Sequence, residues 1–207
     1  MLKLYYCRLP EKDPTLTDEL ISSYRAEKLR EQRNPLVRRQ SLYSELLLRC
    51  ALKNSGLPTE YPLDIAVSEN GKPFLRNESC RFNLSHSSQM ALCALCDREI
   101  GADVQIKSKA RPALIERFFS DEEKTYVFGS ADMDSAFTEI WVKKESFCKL
   151  DGRGLTLPFA SFSVFDKKNI PLFWHTTAGD YHFALCSDSI RSEIPELIEI
   201  DASVLLQ

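Results

Sequence analysis

The chain has 207 residues, of which 43% are hydrophobic and 28% are charged. This mixture is that of an ordinary globular protein, and it excludes a disordered tail, a collagen-like rod and a disulfide-rich miniprotein. No run approaches the roughly 18 apolar residues that a membrane-spanning helix needs, and the first apolar stretch is too short for a signal peptide. A cytoplasmic protein that does not bind membranes is therefore expected.

The net charge of −3 is unevenly distributed along the chain. Residues 1–98 carry a surplus of basic residues, whereas residues 99–207 carry a surplus of acidic ones. Positive charge is densest between Arg25 and Arg39. A local basic patch on an acidic protein favours a small anionic ligand over a long polyanion.

The seven cysteines are odd in number and lie mostly within apolar runs, which predicts reduced thiols in the core. Cys93 and Cys96 form a C-x-x-C pair. A metal or redox site would need a second pair or a turn that holds the thiols together. Because the pair lies in a continuous apolar run, a buried strand is favoured.

The first half of the chain predicts one strand, two helices and then several strands. LKLYYCRL is the opening strand, a polar helix follows from about Asp18 to Arg33, and Pro35 interrupts it. A second helix covers LVRRQSLYSELLLRCALKNSG, with Arg38, Glu45 and Arg49 on a different face from its apolar residues. Strands are predicted at IAVSE, KPFL, CRFNLSHS and MALCALC, with a tight turn at Asn70-Gly71.

The sequence of the second half predicts one strand, then helices, and then closing strands. EIGADVQI is a strand, Pro112–Phe119 is a helix, and another helix starts after Ser120. FTEIWVKKESFCKL predicts a long helix that ends at Gly152 and Gly154, and SFSVF, LFWHT and YHFALCS predict closing strands. Helices and strands in each half indicate the α+β class, with halves 1–98 and 99–207 packed as one unit.

The run WVKKESFCK places Trp141, Glu145 and Lys149 on one helix face, since they are spaced four residues apart. A carboxylate one turn before an ammonium is usually a surface ion pair. The neighbouring tryptophan and the glycine-rich exit favour an open cleft instead. Both interpretations remain open from the spacing alone.

The strand IGADVQI carries an acidic residue in an apolar context. Asp103 needs a partner if it is buried, and alternation puts Gln105 on the same face. Two side-chain oxygens on one strand face, together with a helix carboxylate, suit a hard divalent cation such as magnesium. Three histidines without ligand spacing are too few for a typical zinc site.

Three further segments offer weaker signals. Ser85 and His86 stand at the end of an apolar strand, where they form either a phosphate-binding cluster or a polar turn. NGKPFL holds Lys72 against Pro73 in what is otherwise a common hairpin. In FFSDEEK, Ser120 and a glutamate three residues later have the pattern of a capping box.

These segments occur in a fixed order, namely GKPFL, FNLSHS, IGADVQI, FFSDEE and WVKKESFCK. With the basic stretch before RRQSLYSELLLR, the set resembles the successive motifs of the surfactin-type 4′-phosphopantetheinyl transferases over about residues 22–165. The resemblance implies a monomeric pseudo-dimer of two similar α+β halves with coenzyme A in the cleft between them. It further implies Mg²⁺-dependent transfer of phosphopantetheine from coenzyme A to a serine of an apo acyl or peptidyl carrier protein, with release of adenosine 3′,5′-bisphosphate.

The resemblance also implies catalytic and metal-binding roles. Asp103 and Glu145 match the magnesium ligands, and Glu145 or a water that it orients would be the general base. Lys149 matches the lysine that contacts the pyrophosphate. The family pattern often has glutamate where this chain has Gln105, so the third metal ligand is a neutral amide here and magnesium affinity is expected to be lower.

The remaining implied roles concern coenzyme A. His86, with Ser85 beside it, matches the family's histidine that contacts a phosphate of coenzyme A. Lys72 and Pro73 match the loop on the adenine side. The 3′-phosphate would be held by Lys28, Arg39 and neighbouring bases.

Two other classes of function compete with the transferase. One is a relative that binds coenzyme A or a nucleotide without transferring anything, although the joint presence of Asp103, Glu145 and Lys149 argues against it. The other is a nucleic-acid-binding module that uses the basic stretch, which the acidic second half disfavours.

Overall fold

The computed structural model describes residues 1–11, 20–57, 60, 62–77, 79–153, 157–166, 168, 171–191 and 194–206. The helices are α1 (Ser23–Glu31), α2 (Pro35–Asn54), α3 (Pro112–Phe118), α4 (Asp121–Phe128) and α5 (Met133–Asp151). The strands are β1 (Leu2–Arg8), β2 (Ile65–Val67), β3 (Pro73–Leu75), β4 (Arg81–Ser87), β5 (Met90–Cys96), β6 (Gly101–Ile106), β7 (Phe173–Ala178), β8 (Tyr181–Cys186) and β9 (Glu196–Glu199). This mixture confirms the α+β class.

The first half forms a four-stranded sheet in the order β4-β5-β1-β9. Strands β4, β5 and β1 are antiparallel neighbours, whereas β9 from the end of the chain adds to β1 in parallel. Helix α2 covers one face of this sheet and buries Leu46, Leu47 and Leu48 completely. Strands β2 and β3 form a separate ribbon whose turn uses Gly71 at a positive φ of 82°, as the Asn-Gly pair predicts.

The second half forms a three-stranded antiparallel sheet in the order β6-β8-β7. Helix α5 packs across β6 and β8 on one face of this sheet. It ends at Gly152, which takes the left-handed conformation with φ 83°, so its predicted end is confirmed at that glycine. The predicted end at Gly154 lies outside the described residues.

The two sheets pack against each other through the faces that the helices leave free. Leu4 and Leu92 of the first sheet share a buried cluster with Val104 and Phe183 of the second. Side chains of β4 also bind the backbone of β6: Asn83, Ser85 and Ser87 accept hydrogen bonds from alternate β6 amides at 2.9, 3.3 and 3.1 Å. Because the other edge of β6 is paired with β8, this ladder satisfies amides that would otherwise be unpaired at a sheet edge.

Several predicted elements need correction. SFSVF is not a strand: Phe159–Ser161 is a 3-10 turn, and the following residues form a turn around Val164. Strand β9 was not predicted, because a four-residue run has little periodicity of its own. The first helix begins at Ser23 rather than near Asp18, and positions 18 and 19 lie outside the described residues.

The cysteine prediction is confirmed. All seven cysteines are free and buried, and Cys93 and Cys96 lie within β5. No helix of the described chain is both long enough and apolar enough to cross a membrane.

Candidate active site

The site is built where α5 approaches β6 very closely. Gly101 opens β6, and a Cβ atom at this position would lie 1.9 Å from the Ser146 carbonyl oxygen and 2.4 Å from the Leu150 amide nitrogen. Only glycine allows this approach, since both obstacles are backbone atoms of a helix. The contact fixes Asp103, two residues further along β6, opposite the last turns of α5.

Asp103 is nearly buried, with 6% of its surface exposed, and it has two polar partners. Its Oδ1 accepts a hydrogen bond from the Ser85 hydroxyl at 2.6 Å and lies 2.6 Å from Lys149 Nζ. Lys149 Nζ also donates to Ser85 Oγ at 2.8 Å. The ammonium therefore neutralises Asp103 of the adjacent strand β6, and it contacts Ser85 of β4 across the seam between the two sheets, rather than forming a surface pair along its own helix.

Glu145 lies one turn before Lys149 and faces the same cavity. Burial, reinforced by the negative charge of Asp103, raises the pKa of Glu145 to about 6, and the positive charge of Lys149 opposes this shift. A carboxylate with a pKa near neutrality can both accept a proton and release it, as a general base must. The cleft interpretation of the WVKKESFCK motif is therefore the one that fits the structure.

The cavity around these residues has a volume of about 390 Å³. It is lined by Leu84, Ser85, His86, Asp103, Gln105, Trp141, Glu145 and Lys149. Every candidate catalytic or metal-binding residue predicted from the sequence is in this list. The predicted face of α5 and the predicted face of β6 thus meet.

The donor set tests whether a magnesium ion suits this cavity. Asp103 and Glu145 supply two carboxylates, and Gln105 supplies an amide oxygen, which are ligand types that Mg²⁺ accepts. The unfavourable charge interaction that raises the pKa of Glu145 would be relieved by a cation between the carboxylates. Among the described residues, no group of three or more His, Cys, Asp or Glu converges as a metal cage, so water and substrate oxygens would have to complete the coordination.

A second cavity of about 350 Å³ adjoins the first and has a basic lining. Arg25 and Lys28 of α1 lie on one side, and His86 contributes to both cavities. Partial burial and the nearby charges of Lys149 and Arg25 lower the pKa of His86, so its ring is neutral at pH 7 in the free protein. Arg39, which was predicted to act with Lys28, is not among the described residues that line this cavity.

The guanidinium of Arg25 is held by two side chains of α2. Its Nε lies 3.1 Å from Glu45 Oε2, and its Nη1 donates to Ser41 at 2.6 Å. Glu45 is only 1% exposed, so the face of α2 that carries it is covered by α1 at this point. The periodicity of α2 did not reveal this, because its partner comes from a different helix.

Lys72 and Pro73 line cavities that neighbour the active-site cavity. One of about 240 Å³ also includes Lys149, and a further one has a volume of about 420 Å³. Lys72 Nζ already has three protein partners: Glu99 Oε2 at 2.9 Å and the carbonyls of Ile100 and Leu150 at 3.1 and 3.4 Å. The ammonium therefore links the β2–β3 ribbon to the second half.

The capping box at Ser120 is confirmed. The Ser120 hydroxyl accepts from the Glu123 amide, and the Glu123 carboxylate accepts from the Ser120 amide at 2.8 Å. Glu123 is fully buried and paired with an equally buried lysine, Lys144, at 2.9 Å. The sequence pattern indicates Glu123 only as a cap, and it indicates no role for Lys144.

Comparison with known proteins agrees with this geometry. A family model described as the 4′-phosphopantetheinyl transferase superfamily matches residues 99–195, which include α5 and β6. The family model covers somewhat less than half of the chain, and together with the relatives below it confirms the predicted likeness to the surfactin-type 4′-phosphopantetheinyl transferases.

Individual relatives support the same placement. The chain is similar to the 4′-phosphopantetheinyl transferase gsp of Aneurinibacillus migulanus, with 34% identity over 60% of this chain and 53% of the relative. It is 35% identical to the transferase Sfp of Bacillus subtilis (strain 168) over 57% of this chain and 56% of the relative, and 28% identical to the transferase ffp of Bacillus subtilis over 87% and 88%. The chain thus spans about half the length of the first two relatives, whereas its match to ffp covers most of both chains.

Proposed function

We propose that the protein transfers 4′-phosphopantetheine from coenzyme A to a serine hydroxyl of an apo acyl or peptidyl carrier protein. The observation that carries this proposal is the continuity of the groove. The active-site cavity that contains Asp103, Glu145 and Lys149 shares lining residues with two neighbouring cavities. It shares His86 with the basic cavity and Lys149 with the cavity beside Lys72. A long, highly anionic ligand fits such a groove better than a compact one does.

Coenzyme A would lie along the groove with its phosphates against the positive groups. Lys28 and Arg25 would hold the 3′-phosphate, with Arg39 nearby, while His86 and Ser85 would contact the diphosphate. The adenine would lie beside Lys72 and Pro73. Lys149 is 29% exposed at its side chain, so its ammonium can reach a pyrophosphate oxygen while it remains close to Asp103.

In the chemical step, the serine oxygen forms a bond to the β-phosphorus, and the bond from that phosphorus to the bridging oxygen breaks. The electron pair of the broken bond goes to adenosine 3′,5′-bisphosphate, and the serine proton goes to Glu145 or to a water that Glu145 orients. Lys149 stabilises the negative charge of the leaving phosphate. Bound at Asp103, Glu145 and Gln105, Mg²⁺ would neutralise pyrophosphate charge.

The pseudo-dimeric organisation belongs to the same proposal. Each half packs one long helix, α2 or α5, on one face of a sheet, and the opposite faces of the sheets meet. This supports two similar halves with the ligand groove along their seam. The division at residue 98 stays a prediction, with β9 crossing back from the second half to the first sheet. The monomeric state and the cytoplasmic location also stay predictions.

The test is incubation of the protein with Mg²⁺, coenzyme A and a panel of apo acyl and peptidyl carrier proteins, with intact-mass analysis of each carrier. A mass increase of one phosphopantetheine on the carrier serine is expected, and a serine-to-alanine carrier is the control. If coenzyme A stabilises the protein against heat but no carrier is modified, a coenzyme A-binding protein without transfer is the better description. Salt-sensitive binding of polyanions in place of coenzyme A would favour a nucleic-acid-binding module.

A further inference from the structure

The ion pair between Glu123 and Lys144 is the most deeply buried charge pair of the described chain that the proposed mechanism does not use. Both side chains have 0% exposure. Lys144 is adjacent in sequence to Glu145 but lies about 100° around α5 from it, and it does not line the active-site cavity. A charged pair in this position is costly to bury unless its hydrogen bonds are complete.

Those hydrogen bonds are complete, and most of them end on one segment. Lys144 Nζ donates to the carbonyls of Phe159 and Phe162 at 2.8 and 2.7 Å, besides its contact with Glu123. Glu123 Oε1 accepts from the Val164 amide at 2.8 Å. Residues 157–165 are therefore tied through three backbone groups to a charge pair carried by α4 and α5.

This segment supports a wall of the active-site cavity. The ring of Phe159 lies 5.3 Å from that of Trp141, centroid to centroid, and both rings contact Phe118. Trp141 is the aromatic residue that lines the cavity beside Gln105 and Glu145. Movement of the Phe159 backbone would therefore change the position of the indole.

The direction of α5 shows which end of the cavity this wall forms. Gly101 at the start of β6 approaches Ser146 and Leu150, whereas Ser108 just after β6 donates its amide to Thr138 at 3.0 Å. The helix and strand thus run antiparallel. Lys149 lies toward the Lys72 loop, and Trp141 lies two turns further along, beyond Glu145.

We propose that the Glu123–Lys144 pair is a positioning device for the Trp141 end of the cavity, which the proposed placement of coenzyme A leaves free for the acceptor serine. It holds residues 157–165 against Trp141, and Trp141 in turn shapes the wall next to Glu145. This inference rests on the proposed transferase function only for the identity of the acceptor. It makes Glu123 and Lys144 positioning residues, not catalytic ones.

The test uses Trp141 as its own reporter. The chain contains two tryptophans, so a Trp174→Phe background leaves Trp141 as the sole source of indole emission. In that background we would compare E123Q/K144M, which removes both charges together, with K143M. Lys143 is the matched control because it is the neighbouring residue and forms an ordinary pair with Glu139, with the two side chains 15% and 20% exposed.

The double variant is expected to melt cooperatively and to remain stabilised by coenzyme A. Its kcat should fall about 10- to 100-fold while its KM for coenzyme A changes less than about three-fold, because misplacement is confined to the acceptor end. The emission maximum of Trp141 should shift to longer wavelength. K143M should retain the kcat and the emission of its parent.

Parental kcat and emission in E123Q/K144M would overturn the proposal, as would a loss of kcat with unchanged Trp141 emission. If the ion-pair variants do not fold, Phe159→Leu decides the question, since it keeps the charge pair and removes only the ring contact. It should shift the emission and lower kcat, and parental values would again contradict the positioning role. If the parent modifies no carrier, the proposed function fails by itself, while the emission comparison still tests the structural link.

Discussion

In the first half of the molecule α2 covers the sheet β4-β5-β1-β9, and in the second half α5 covers β6 and β8. Each long helix carries one charged side chain that faces inward, Glu45 in α2 and Lys144 in α5, at 1% and 0% exposure. Each is paired with a residue of the short helix that precedes it, Arg25 in α1 or Glu123 in α4. The same construction is thus used twice with the charges exchanged.

The two pairs differ in what they contact. Arg25 lines the basic cavity, so the pair in the first half takes part directly in the proposed ligand site. Glu123 and Lys144 are sealed from solvent, and their contacts are with backbone groups of residues 157–165. One inward charge therefore serves binding and the other serves positioning, and the burial of a charge alone does not distinguish the two.

The largest expected effect comes from forcing α5 and β6 apart within the second half. Gly101→Ala places a Cβ atom against backbone of α5, and it should destabilise the fold by about 3 kcal/mol or more and abolish activity. Thermal and denaturant unfolding measure this. Gly129→Ala is the matched control, since its φ is −84° and its added Cβ would meet one carbonyl oxygen at 3.0 Å. Equal stability of the two variants would mean that α5 can move away from β6 without cost.

The next largest effect is expected at Glu145, the proposed general base. Glu145→Gln keeps the shape of the side chain and removes its charge and basicity, so transfer should fall by about 10²–10⁴-fold while coenzyme A still raises the melting temperature. Intact-mass kinetics and thermal shift measure the two properties. Glu139→Gln, on the same helix but outside the cavity lining, should stay within a few-fold of the parent. Comparable turnover in both variants would make Glu145 an ordinary ion-pairing residue.

A smaller change is expected in coenzyme A binding when the basic cavity is altered. Lys28→Ala should weaken coenzyme A binding about ten-fold but leave dephospho-coenzyme A binding nearly unchanged, because only the former carries the 3′-phosphate. Thermal shifts with the two ligands provide the comparison. Arg33→Ala, an exposed change in the same basic stretch, controls for general loss of positive charge. Equal weakening for both ligands would place the 3′-phosphate elsewhere.

The pKa of Glu145 predicts a moderate pH effect on stability. Because the pKa of this carboxyl is raised from 4.5 to about 6 in the folded state, the folded protein binds more protons than the unfolded chain between these values. The free energy of unfolding should therefore fall by about 2 kcal/mol from this group as the pH rises through that window. Glu145→Gln should be more stable than the parent at pH 7.5 but not at pH 4.5. An identical difference at both pH values would contradict the assigned pKa.

The smallest effect is expected at Gln105, where the chain departs from the family pattern. Gln105→Glu adds an anionic oxygen with little change in volume, so the half-saturating Mg²⁺ concentration should fall, most clearly when coenzyme A is scarce. Gln105→Ala should cost less activity than Asp103→Ala, because water can replace a neutral ligand. Magnesium titrations of transfer by the three variants measure this. An unchanged magnesium requirement in Gln105→Glu, with full activity in Gln105→Ala, would place the side chain outside the metal's coordination shell.

Local chemistry made much of this molecule predictable. The capping box at Ser120, the turn at Gly71 and the helix end at Gly152 depend on residue types that act within a few positions of themselves. The shared faces of Asp103 with Gln105, and of Glu145 with Lys149, follow from strand and helix periodicity. The ordered motifs then indicated that these two faces belong to one site.

Only the tertiary structure decided which partner each charge has. Lys149 pairs with Asp103 instead of Glu145, Glu45 turns inward to Arg25, and Lys144 holds Phe159 and Phe162 through their carbonyls. The last contact also explains why SFSVF is not a strand, since its neighbouring backbone groups are bound by a buried charge pair. Periodicity describes one element at a time, whereas a buried charge is satisfied by whichever element the fold brings beside it, and that information is spread over residues far apart in the chain.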